Sequence, residues 1–137
     1  MAIAIIAFAY IAMIGLLPVG MANFSKAIDN SIGAQITQRL AGEALQTDFD
    51  TLTASSVPVY RYFDNQGNEV PKMTGSVYTA EITVVTPTKL PNSSTPPNPS
   101  LATVTIRLAT NPGENPLPFA PASHLRIRTH TALVAKK

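Results

Sequence analysis

Two histidines and two aspartates are the first places to look for chemistry in this 137-residue chain. His124 and His130 stand six residues apart in a stretch that alternates like a strand, and no carboxylate or cysteine lies at ligand spacing beside them. Asp48 and Asp50 do not extend into a calcium loop, because the glycine and the closing glutamate are missing. No nucleophile elbow, phosphate loop or paired-carboxylate motif is present. With no cysteine, disulfides and thiolate metal sites are excluded. The residues point away from an enzyme, with no cofactor and no metal site expected. Asn92-Ser93-Ser94 fits an N-linked sequon and Thr95 extends a hydroxyl-rich run suited to O-linked sugars, the one modification chemistry on offer.

Charge is sparse. Ten basic and eight acidic residues leave a formal +2, and charged residues make up 13% of the chain. No run of like charge marks a nucleic-acid surface, so no nucleic-acid partner is expected.

What remains is the architecture, and it begins with Met1 to Leu17, which carries no charge; the first charged side chain is Lys26. The stretch lacks the basic start of a secretory signal. It also lacks the polar face of a helix in a water-soluble protein. As a helix it spans about 26 Å, somewhat less than the roughly 30 Å hydrocarbon core of a bilayer. Ala4 and Ala7 fall on one side, Ala2 and Ala9 on the other, and small residues admit close helix neighbours in a dry setting. Pro18 removes a backbone donor and crowds the preceding turn, with Gly15 and Gly20 as further weak points, so a kink or a melted turn is expected there.

From Asn23 to about residue 55 the helical period continues with polar residues added. Phe24, Ile28, Ile32, Ile36 and Leu40 step by four, and Ala27, Ala34, Ala41, Leu45 and Leu52 form a second track. Two apolar tracks need two covering surfaces, the chain's own sheet and neighbouring subunits. Asp48 and Asp50 oppose the helix dipole, placing the end near Thr47, and Pro58 is a firm stop.

From Val57 the period changes to two. Val57–Phe63, a turn cluster Asp64-Asn65-Gln66-Gly67-Asn68, and a short return through Glu69 and Val70 predict a hairpin. Residues 76–86 alternate Tyr78, Ala80, Ile82 and Val84 against Thr79, Glu81 and Thr83, predicting a strand buried on one face. Leu101–Thr110 follows suit with Ala102, Val104, Ile106 and Leu108 inward. In His124–Val134, Leu125, Ile127 and Leu133 take one face, and His124, Arg126, Arg128 and His130 an exposed basic one. Residues 87–100 hold five prolines and 111–123 four more, composition that favours extended, solvated loops. The expected fold is α+β: an apolar helix 1–22, its amphipathic continuation 23–55, and a small antiparallel sheet of four or five strands in 56–137.

An apolar N-terminal helix interrupted by proline and glycine (AIAIIAFAYIAMIGLLPVG), running into an amphipathic helix and then a small antiparallel sheet, resembles a type IV pilin or pseudopilin. The run IAFAYIAMIGLLPVGM, with DNSIGAQ and TDFDTL after it, is more specifically similar to the pilin-like Verru_Chthon cassette protein B family. The resemblance implies a structural subunit held in the inner membrane and then drawn by pilus or type II secretion-like assembly machinery into a homo-oligomeric, helical, cell-surface filament. It implies a filament core packed from Ala2, Ile3, Ala4, Ile5, Ile6, Ala7, Phe8, Ala9, Ile11, Ile14, Leu16 and Leu17, with Phe24, Ile28, Ile32, Ile36, Leu40 and Leu45 packing on subunits or sheet. The family's mature chain opens on a methylated phenylalanine with an assembly glutamate at its fifth position. Neither is matched here, and alignment on the apolar run implies further residues upstream of Met1. The alternative is a single-span membrane protein presenting a β-domain as a non-polymerising binding or secretion component.

Overall fold

A computed structural model describes residue 15 and residues 17–54, 56–90, 92 and 94–136; residues 2–14 and 16 are described only as backbone of the first helix. Helix α1, Ala2–Gln46, is followed by a short helix α2, Phe49–Thr53, and by strands β1 (Val59–Phe63), β2 (Glu69–Val70), β3 (Tyr78–Val85), β4 (Leu101–Thr110) and β5 (Ile127–Ala135). The strands form one antiparallel sheet in the order β2-β1-β3-β4-β5. The chain is α+β, with one long N-terminal helix and a five-stranded sheet.

Of the kink or melted turn expected at Pro18, the melted turn is absent, since residues 15–20 are all helical. A proline deletes one backbone donor, and the hydrogen bonds on either side keep the ladder going. The helix ends at Gln46, beside the end near Thr47 expected from Asp48 and Asp50, with Thr47 donating through both its backbone N–H (3.0 Å) and Oγ1 (2.7 Å) to the Glu43 carbonyl. Asp48 accounts for the break. Inside α1 its charge would sit at the negative end of the dipole, whereas as the residue before α2 it sits at a positive end. The chain divides into two compact units, residues 1–32 and 33–137, with the division inside α1.

In the second unit, Ile36, Leu40 and Ala44 are buried, as are Phe63, Tyr78, Ala80, Ala102, Val104, Ile106 and Leu108 on the helix-facing side of the sheet. Their i, i+4 spacing makes one stripe of α1 the lid of this core. Full burial of side chains of this size contributes about 1.5–3 kcal/mol each. The predicted hairpin forms with Tyr62 opposite Val70 and Phe63 opposite Glu69. Its turn is built by Asp64, whose Oδ1 accepts from the backbone N–H groups of Gln66 and Asn68, both at 2.8 Å, while Gly67 supplies the left-handed conformation.

Two expectations fail together. Strand β3 is buried on both faces over Tyr78–Glu81, not on one. The second cover is the loop 111–123, read from its prolines as solvated: Asn111 and Pro118 are buried and Phe119 lies half-buried against the sheet. The loop 87–100 is likewise tied down at its base, by an Asn98 N–H to Thr88 carbonyl bond of 2.8 Å and a Thr88–Thr103 hydroxyl pair at 2.6 Å. Proline content describes backbone preference only, and it does not stop a loop from donating side chains to a sheet face.

Strand β5 also turns the other way from expectation. The register sets Arg128 opposite Leu108 and His130 opposite Ile106, so both belong to the helix-facing side. Arg128 fits there because Gly33 has no side chain: a Cβ built on Gly33 would fall 1.8 Å from Arg128 Nη1 and 3.4 Å from Leu108 Cδ2.

Candidate interaction surfaces and polar clusters

Helix α1 and strands β1 and β2 bring four charged side chains together. Arg39 donates to Glu43 one turn later (Nε to Oε1, 3.0 Å) and reaches Glu69 at 3.5 Å. Arg61 pairs with both Glu43 and Glu69, its Nε donating to Glu69 Oε1 at 2.7 Å. Two cations and two anions neutralise one another. The hydrogen bond from Arg61 holds the Glu43 and Glu69 carboxyls below the usual range, and the bond to Glu69 holds the Arg61 guanidinium above its ordinary value. The network fastens α1 to the hairpin edge of the sheet.

A second cluster occupies the opposite face. Glu81, with a side chain 10% exposed, accepts from Arg107 Nη1 at 2.9 Å and from the Tyr60 hydroxyl at 2.9 Å. Arg107 lies over the Phe119 ring, 4.9 Å from its centroid, and Phe119 stacks on Tyr60 at 6.3 Å. The Tyr60 phenol is raised above its ordinary value, first because ionisation would break its bond to Glu81. Beside the cluster, Asn111 Nδ2 donates to the Asn115 carbonyl at 3.0 Å and Asn115 N–H returns to Asn111 Oδ1 at 2.9 Å. A carboxylate, a phenol and a guanidinium together could serve acid–base work, but here each is engaged with another and capped by the 111–123 loop. Their arrangement locks that loop to the sheet. The sequence reading missed the cluster; the alternation of Tyr60, Glu81 and Arg107 on polar strand positions was its only signal.

Among the described residues, no group of three or more His, Cys, Asp and Glu could hold a metal, and no buried side-chain polar atom lacks a partner. A concavity of about 570 Å³ lies at the end of β5 between Leu45–Asp50 and Leu133–Lys136, where Lys136 Nζ meets Asp50 Oδ1 at 2.7 Å. A smaller groove of about 260 Å³ runs between the end of α1, α2 and the start of β1, with Leu40, Ala44, Val57, Val59 and Ile82 among its walls.

The sequence-predicted packing residues separate into groups. Ile36 and Leu40 are buried on the sheet and Ile32 is half-buried, whereas Phe24 is 69% exposed, Ile28 44% and Leu45 51%. Leu17 is exposed, as are Gly15, Pro18 and Gly20, while the core set Ala2, Ile3, Ala4, Ile5, Ile6, Ala7, Phe8, Ala9, Ile11, Ile14 and Leu16 lies outside the residues whose side chains are described. Among the described residues no helix is long and apolar enough to cross a membrane, and most of the apolar run falls outside them. Asn92, Ser94 and Thr95 are exposed, with Asn92 in the left-handed region; Ser93 lies outside the described residues. No protein-family model, curated protein or solved structure matches the chain.

Proposed function

We propose that the chain is a structural subunit of a type IV pilus-like or pseudopilus-like extracellular filament, held in the inner membrane before assembly and polymerised through packing of its N-terminal helix. The observation that carries this reading is the division of one apolar track. Along the same i, i+4 row of α1, Ile36 and Leu40 are at 1% and 2% exposure, while Phe24 and Ile28 are left at 69% and 44%. The sheet satisfies the last turns of the helix and leaves the earlier ones to another surface. Upstream lie 17 uncharged residues that are stable in lipid or among equally dry helices, so transfer from membrane to bundle keeps their burial. The sheet and its pinned loops then face outward from the helical core.

Electron microscopy of the native material, with Ile6→Asp as the disabling variant, tests the reading. Filaments that contain the chain and vanish in Ile6→Asp support it. Intact filaments from Ile6→Asp, or membrane-held chains that never polymerise, overturn it.

A further inference from the structure

We draw no further inference here: the strongest candidate, the apolar groove between the end of α1, α2 and the start of β1, is an unpartnered face, and nothing in the structure shows what covers it.

Discussion

Arg107 is held between Glu81 and Phe119: its Nη1 donates to the carboxylate at 2.9 Å while its guanidinium carbon lies 4.9 Å from the ring centroid. Arg107→Ala removes the partner of a nearly buried carboxylate and should destabilise the fold by about 2–3 kcal/mol, read as a lower urea midpoint. Phe119→Ala should cost less in the Arg107→Ala background than in the native one, because the two side chains rest on each other. Equal costs in both backgrounds would mean that the loop is anchored elsewhere.

Core and helix surface should separate cleanly. Leu40→Ala opens a cavity beneath α1 and is expected to lower stability by about 2–4 kcal/mol. Phe24→Ala, at an exposed position, should leave the unfolding midpoint within about 0.5 kcal/mol of native while reducing filament yield. Native filament yield from Phe24→Ala would remove that residue from the assembly surface.

The Arg61 network makes a signed prediction about acid. Glu43 and Glu69 have folded-state pKa values below their unfolded ones, so their contribution is present at neutral pH and is lost as pH falls from the ordinary glutamate value, about 4.3, through the depressed values. Both carboxylates are more than a third solvated, which screens the effect. In Arg61→Gln the acid limb of the stability profile should flatten. Superimposable profiles for the two proteins would contradict the assignment.

At the alkaline end the sign reverses. Tyr60 has a raised pKa, so the stability it adds is present below the ordinary tyrosine value and fades as pH rises through the folded one. Phenolate absorbance should show the Tyr60 phenol ionising late, and Glu81→Gln should bring that titration down.

Gly33→Ala tests the seat of Arg128. Alanine favours the helix by up to about 1 kcal/mol over glycine. In native protein that gain is opposed by displacement of the guanidinium, whereas in Arg128→Ala it should appear in full. The comparison is made by thermal unfolding, and an equal gain in both backgrounds would show that Arg128 moves aside at no cost.

The sequence made the helix, the hairpin and the existence of the strands legible, because each is a local signal. A four-residue period runs through Ile36 and Leu40, Asp64 to Asn68 reads as a turn, and β3 and β4 alternate. The end of α1 was readable from the charge on Asp48. The cover over Glu81 was not, since proline content speaks only of the loop's backbone, while Phe119 meets Arg107 through register and tertiary approach. Strand β5 misled for a related reason: alternation gives two faces but does not say which one is inward. Gly33, about a hundred positions earlier in the chain, decided that.

The sheet order carries a kinetic consequence. In β2-β1-β3-β4-β5 each bonded pair joins strands that follow one another in the chain, apart from β1 and β3, which are separated only by the short β2 return. Such a meander closes one neighbouring connection at a time, without the long searches that slow crossed topologies. The sheet can therefore form as a self-contained event, and the seating of Ile36 and Leu40 on it is a longer-range step. A chain folded this way completes its five-stranded sheet without strands from a second copy.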